Sequence, residues 1–361
     1  MRVSFVMPYF FKEVSGGAEK QAYLLAKHLV KEGCDVYYLT SGKGDEIVEG
    51  IKVLRVLRLP HIFQYLEYPK ILVHLFDLNP DMVITRIRHY YFPVALYGFL
   101  SFKPSIIFIP ENRIPHPLYE TEKVFKKRIN LFKKILAVAN SLLLDFFAYI
   151  GIFISKTVVI QNEKQRKFIK KIYGKESLKM SSIFEPVEVK VEEKKGICWV
   201  GNIREEKRPE ILVQLAKLLP EEVFYMVGRI PERYKGSFGD LKNLKILGEL
   251  EYTETVKVIA NSKVYVNTSV DEGFPNTFLE SWYYKTLVIT FDADPDEVIA
   301  KGLGIKVKTL DEAAGVIKDF KKNPKKYEKI IQRAYNYVLE NHLPQKVIRV
   351  FKERVMGLSC R

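Results

Sequence analysis

Cysteine is almost absent from this chain. Three occur in 361 residues, Cys34, Cys198 and Cys360, with no CxxC pair and no metal-site spacing. That excludes a disulfide framework or a cysteine-bound structural metal, and it points to a reducing compartment. The opening stretch "MRVSFVMPYF" lacks the apolar length and small-residue cleavage site of a secretory signal, so it reads as a buried strand and a cytoplasmic location is expected. No low-complexity tract and no short repeat interrupts the sequence. RNP, helix-turn-helix and zinc-finger patterns are missing too, and no nucleic-acid partner is expected despite a formal net charge of +15.

What is present is unevenly placed. Residues 1–174 carry 26 Lys and Arg against 15 Asp and Glu, whereas the remainder carries 32 against 28. The first half holds the basicity, which favours anionic lipid headgroups or phosphorylated ligands as partners. The length suits two mid-size domains. Short apolar runs, "VSFVMPYF", "DVYYLT", "DMVITR", "SIIFIP" and "TVVIQN", read as strands separated by helices. A second series, "ICWVGN", "VFYMVG", "LKILG", "VYVNTS" and "TLVITF", follows the Glu/Lys-rich stretch "FEPVEVKVEEKKG". The fold class is therefore α/β, with two halves of mostly parallel sheet spanning residues 1–175 and 190–340, a linker near 175–195 and a helical tail.

Between Lys123 and Lys134 the spacing predicts one basic amphipathic helix. Lys123, Lys126, Lys127, Lys133 and Lys134 fall on one face, and Phe125, Ile129, Phe132 and Leu136 on the other. It runs into "ILAVANSLLLDFFAYIGIFIS", which has membrane-spanning length but contains Asn140, Ser141 and Asp145. A core helix with a solvated lysine face is one reading. Attachment of residues 123–155 to an anionic membrane surface is another, with each basic residue contributing about 1 kcal/mol. A true span is disfavoured by the central aspartate.

The stretch "DEGFPNTFLES" carries the most specific chemistry. Glu272 and Glu280 flank a turn in which Pro275 and Asn276 start a helix and Gly273 admits a ligand close to the backbone. Exposed amides and the positive helix end favour a phosphate, and an ionised carboxylate accepts two hydroxyl donors at once. In "CWVGNIREEKRPEIL", Arg204, Lys207 and Arg208 follow the Gly201 turn, a strand-to-helix phosphate site with added cations. Gly16 and Gly17 supply a second amide-rich loop after the first strand.

Together these motifs resemble the family 4 glycosyltransferases of the GT-B fold, through "GGAEKQAYLLAKHLVKEGCDVYYLT", "WVGNIREEKRPEIL", "LKILGELEYTETVKVIANSKVYVNTS" and the E-x7-E element "EGFPNTFLE". The resemblance implies two Rossmann-like domains facing across a cleft, with the tail helix of residues 341–361 packing back toward the first. It implies retaining transfer of a hexose-type sugar from a nucleoside diphosphate sugar to a glycan, lipid or lipid-linked acceptor. No cofactor and no metal are expected. Glu280 would hold the ribose, while Glu272 and the segment Gly273, Phe274, Pro275, Asn276 and Thr277 would hold the donor sugar. Lys207, aided by Arg204, would meet the diphosphate; Asn202, Gly16 and Gly17 would complete the donor site.

The sequence departs from the family pattern at Asn202, where an arginine is usual, and at Lys285 and Leu287, where glycine and proline are common. After "SIIFIP" relatives often place a histidine; here Glu111, Asn112 and His116 are the candidates for contact with the reacting sugar or acceptor. Rival readings are a sugar-nucleotide epimerase of similar architecture and a catalytically inactive partner subunit. In "FDADPDE", Asp292 and Asp294 have the spacing of a manganese chelate, but Asp294 followed by Pro295 reads better as a helix cap.

Overall fold

Strands covered on both faces are written as short unbroken apolar runs, and such runs along this sequence become two mostly parallel sheets in the computed structural model, which describes residues 1–13, 16–57, 64–126, 130–234 and 236–357. One unit comprises Met1–Ile183 with the segment from Val347 onward, and the other Phe184–Lys346.

In unit 1 the strands are β1 (Arg2–Val6), β2 (Asp35–Ser41), β3 (Glu46–Val48), β4 (Ile51–Leu57), β5 (Met82–Thr85), β6 (Ser105–Phe108), β7 (Thr157–Ile160) and β8 (Leu178–Lys179). They lie in the order β3-β4-β2-β1-β5-β6-β7-β8, all parallel except β3, which forms a hairpin with β4. Between them run α1 (Gly17–Lys31), α2 (Tyr68–Leu78), α3 (Tyr91–Ser101), α4 (Tyr119–Phe125), α5 (Leu131–Ile154) and α6 (Glu163–Tyr173). Unit 2 has β9 (Ile197–Val200), β10 (Phe224–Val227), β11 (Leu244–Gly248), β12 (Val264–Asn267), β13 (Leu287–Thr290) and β14 (Ile305–Lys306), in the order β11-β10-β9-β12-β13-β14. Its helices are α7 (Pro209–Leu218), α8 (Tyr252–Asn261), α9 (Asn276–Tyr283), α10 (Leu310–Lys322) and α11 (Glu328–Asn341). A last helix, α12 (Pro344–Arg354), places Val347, Ile348 and Phe351 in the unit 1 core beside Phe5, Leu25 and Tyr38.

The basic amphipathic helix expected over 123–134 is two helices. α4 ends at Phe125, and α5 starts at Leu131 with Asn130 as its cap, the Asn130 side chain accepting from the Lys133 amide at 3.0 Å. An asparagine cap satisfies an otherwise orphan amide and fixes a new helix start, which apolar periodicity does not register. Lys127 and Ile129 lie outside the described residues.

α5 is long and apolar enough to cross a membrane, yet one face belongs to the core. Asp145 is 2% exposed and pairs with Arg88 at 2.9 Å. Its oxygens also accept from the Glu120 and Thr121 amides at 3.0 and 2.9 Å, so this aspartate caps α4. The central charge is therefore matched inside the protein. Gly151 lets α5 approach the start of α3, since a Cβ there would lie 2.5 Å from the Tyr91 carbonyl carbon. The opposite face leaves Leu131, Phe132, Ile135, Leu136, Leu142 and Phe146 exposed.

Breaking one member of the buried pair should be worse than removing both. Asp145→Leu strands the Arg88 guanidinium and should cost about 3–5 kcal/mol, whereas Arg88→Met with Asp145→Leu should recover much of it. Urea unfolding monitored in unit 1 checks this; equal losses in the single and double variants would show that the cap, not the charge pair, dominates.

Candidate functional site

Unit 2 reverses its strand order between β9 and β12. β9 leads through α7 to β10 and β11 on one side, while β12 leads through α9 to β13 on the other. Loops leaving such neighbours at their carboxyl ends diverge and open a crevice, the usual ligand seat of a doubly wound sheet. Both acidic and basic candidates sit on those two loops.

Lys207, in the β9–α7 loop, forms an ion pair with Glu272, in the β12–α9 loop. Side chains of both are mostly buried, at 23% and 13% exposed, so solvent screens the pair only partly. The two loops are further stitched. Thr268 Oγ1 accepts from Trp199 Nε1 at 2.8 Å and donates to the Lys207 carbonyl, and the Val270 amide donates to the Glu206 carbonyl at 3.0 Å. Arg208 stands in the left-handed region (φ +45°), just ahead of Pro209 at the start of α7. Its guanidinium donates to the Thr268 carbonyl at 2.7 Å and pairs with Asp292, so of the three clustered cations this one is a structural clasp. Arg204 is exposed; its carbonyl accepts from the Lys207 amide at 3.0 Å, while its guanidinium makes no hydrogen bond or ion pair with any described residue. Asn202 is exposed beside it.

α9 begins at Asn276 with Pro275 in extended conformation ahead of it, as the turn chemistry requires. Glu280 is 4% exposed, and its carboxylate hydrogen-bonds the Tyr252 hydroxyl at the start of α8. Burial and that carboxylate push the Tyr252 hydroxyl well above its ordinary range, so it remains a donor and fixes Glu280. Phe274 turns inward, its ring 5.1 Å from His342 and 6.2 Å from Trp282. Thr277 Oγ1 accepts from Tyr265 at 2.9 Å. These two side chains anchor the loop, leaving Gly273, Pro275 and Asn276 as its backbone part. Lys285 takes the left-handed conformation (φ +56°) after α9, the turn where glycine would be relaxed, and its ammonium lies 4.9 Å from the Tyr335 ring centroid.

Three glycines complete the edge. The Gly201 amide donates to the Val227 carbonyl at 3.0 Å and the Gly228 amide to the Gly248 carbonyl at 2.7 Å, tying the ends of β9, β10 and β11. A Cβ on Gly228 (φ +150°) would overlap the Gly201 carbonyl oxygen. Asp292 and Asp294 do not converge: Asp292 meets Arg208, and Asp294 Oδ1 accepts from the Ile299 amide at 2.8 Å. Asp294 thus caps the turn after Pro295.

The candidates in unit 1 spread along its sheet edge. Gly16 caps α1 without a side chain, and Gly17 opens it. Burial raises the pKa of the Glu19 carboxyl, and the exposed Glu111 lies close enough to add to that rise. Asn112 accepts from Asn162 Nδ2 at 2.8 Å, whereas His116 turns toward Glu122 at 3.4 Å and the Phe168 ring. Tyr252 had no motif to mark it, since it looks like any aromatic at a helix start.

Two α/β units, each doubly wound about a central parallel strand pair, with a charged site at one such reversal, make the two-domain Rossmann-like architecture expected from the sequence. A family model described as Glycosyltransferase Family 4 matches residues 15–162, and one described as Glycosyl transferases group 1 matches 181–337. The chain belongs to the glycosyltransferases of the GT-B fold. Among solved structures it is similar to WaaG, a glycosyltransferase involved in lipopolysaccharide biosynthesis (13% identity, 98% of this chain and 99% of that one, TM-score 0.73). It is similar also to sucrose-phosphate synthase from Thermosynechococcus elongatus (12%, 99% of each chain, 0.75). A third is the Anabaena protein HepE in complex with UDP-glucose (13%, 99% and 100%, 0.73). No curated protein matches.

The Gly228 contact is backbone against backbone, so relief requires the strand ends to separate. Gly228→Ala should lower the stability of unit 2 by about 1–3 kcal/mol, read as a lower melting temperature. An unchanged melting temperature would mean the β9 and β10 ends part freely.

Proposed function

We propose that the chain is a retaining, metal-independent glycosyltransferase that moves a hexose-type sugar from a nucleoside diphosphate donor. The Lys207–Glu272 pair across the β9/β12 reversal carries this reading, because it sets a cation and a carboxylate on the two loops that border one crevice. Glu280, buried and fixed by Tyr252, would accept the ribose hydroxyls. Glu272 and the Gly273–Asn276 backbone would hold the donor sugar. As the glycosidic bond breaks, negative charge grows on the diphosphate, and Lys207 with the exposed Arg204 would stabilise it. Lys207 would then divide its charge between Glu272 and the leaving group. A complex of HepE with UDP-glucose makes uridine donors the first to try.

The acceptor side rests on a different observation. α5 exposes Leu131, Phe132, Ile135 and Leu136 in its first two turns, next to Lys133 and Lys134. We propose a cytoplasmic enzyme whose acceptor is a glycan, a lipid or a lipid-linked chain, presented at an anionic membrane face on which these turns lie. A span is not needed, since the other face of α5 is committed to α3.

A binding screen of UDP-, GDP- and ADP-sugars with EDTA present tests the donor site. Selective binding should weaken about tenfold or more in Glu280→Gln, which keeps the shape and removes the charge. Wild-type affinity in that variant would sink the ribose assignment, and acceptor-free turnover would favour an epimerase. For the membrane, co-sedimentation with phosphatidylglycerol vesicles at low salt should be lost in Phe132→Ser with Leu136→Ser; failure of the wild-type protein to sediment would overturn that part alone.

A further inference from the structure

Unit 2 carries a second concavity, built from one face of α11 and the turns that join β13 to β14. Its volume is about 650 Å³, within the range of small-molecule sites. Val298 and Leu303, both buried, and the half-buried Tyr337 ring give it an apolar lining, and three exposed cations, Lys301, Lys329 and Arg333, stand around it. Lys329, Arg333 and Tyr337 follow at four-residue steps, so they share one stripe of α11 that runs for about 12 Å. Neither glutamate of the E-x7-E element lines this groove, and neither does Lys207.

The cations are left unbalanced. Lys329 and Arg333 are like charges one helical turn apart, a spacing that destabilises a helix unless something neutralises them. Neither forms an ion pair with any described residue. Lys301 Nζ donates to the Asp296 carbonyl at 2.8 Å, and Arg333 Nη1 to the Lys301 carbonyl at 3.3 Å; these neutral acceptors orient both groups and cancel neither charge. The carboxylate lining the groove is that of Glu340, seven residues and about 10 Å along α11 from Arg333, and it pairs with none of the three.

The segment that forms the wall opposite α11 is held in costly backbone. Asp296 and Glu297 are consecutive non-glycine residues in the left-handed region (φ +55° and +59°), and Ile299–Leu303 is a wide π-type turn that contains Gly302 at φ +96°. A Cβ on Gly302 would lie 2.4 Å from Arg333 Nη1, so glycine leaves the guanidinium its seat. Strained backbone persists where its surroundings hold it, and it concentrates at ligand clamps.

We propose that this groove is a second ligand site of unit 2, for a soluble phosphomonoester joined to an apolar body. Arg333 as a planar fork and Lys329 as a mobile point charge hold the phosphate, while Val298, Leu303 and Tyr337 cover the apolar part. Such a site is independent of the transferase reading, because it shares no residue with the β9/β12 crevice.

Calorimetric titration of the full chain with octyl phosphate, kept below its micelle concentration, tests this; inorganic phosphate and octyl glucoside probe the two halves of the ligand separately. Octyl phosphate should bind saturably and about tenfold or more tightly than either probe, and Lys329→Gln with Arg333→Gln should weaken it about tenfold. Lys207→Gln should leave that affinity within about twofold. Because both substituted cations are exposed, the double variant should melt at the wild-type temperature or above it, the like-charge pair being gone. Octyl phosphate that fails to saturate, or that binds the double variant as well as the wild-type chain, would overturn the site. Binding lost in Lys207→Gln and kept in the double variant would overturn it too, returning the ligand to the β9/β12 crevice. Inorganic phosphate binding as tightly as octyl phosphate would remove the apolar body from the ligand class. UDP-glucose failing to bind the same protein would count against the donor site alone.

Discussion

The ion pair between Lys207 and Glu272 joins loops that leave adjacent parallel strands in opposite directions, and the arrangement of unit 2 around its crevice follows from keeping those loops together. A parallel sheet can place consecutive elements on both sides of its first strand, but the crossover loops then part at the reversal. The chain resists that parting with side chains of four kinds: Lys207 on Glu272, Arg208 on the Thr268 carbonyl, Trp199 on Thr268, and Thr268 on the Lys207 backbone. The β9–α7 loop adds one short 3-10 turn, Glu205–Lys207, and the two loops otherwise hold each other. Electrostatic preorganisation of this kind costs no rearrangement when a charged ligand arrives.

Glu280 illustrates a second constraint. A carboxylate on the buried face of a short helix must find a donor, and Tyr252 provides one from the neighbouring helix. That bond holds α8 and α9 in register around the Glu280 carboxylate. Substitution at Tyr252 would therefore act on the site without touching a ligand.

Much of this was legible in the sequence because buried parallel strands are unbroken apolar runs and because turn residues have mechanical reasons for their places. β1, β2, β5 to β7 and β9 to β13 coincide with such runs, and the start of α9 follows from Pro275 and Asn276. β4 was hidden because "IKVLRVL" carries Lys52 and Arg55; the latter is 4% exposed at its side chain and neutralised by Glu13 and Glu46, partners that lie elsewhere along the chain. β8 and β14 are two residues each, too short for any periodicity. The break between α4 and α5 depends on one asparagine cap, and the meaning of Asp145 depends on Arg88, 57 positions earlier. Local pattern does not encode such pairs. The E-x7-E element was legible as chemistry, whereas Tyr252 acquires a role only when α8 and α9 become neighbours.

α12 has a consequence for the order in which the protein can be made. Val347, Ile348 and Phe351 belong to the core of unit 1, but they follow the whole of unit 2 along the chain. During synthesis the continuous stretch Phe184–Lys346 can complete its own core as soon as it has emerged, while unit 1, begun first, must wait with an apolar gap beside α1 until residue 351 has left the ribosome. The domain translated first is thus the one that matures last.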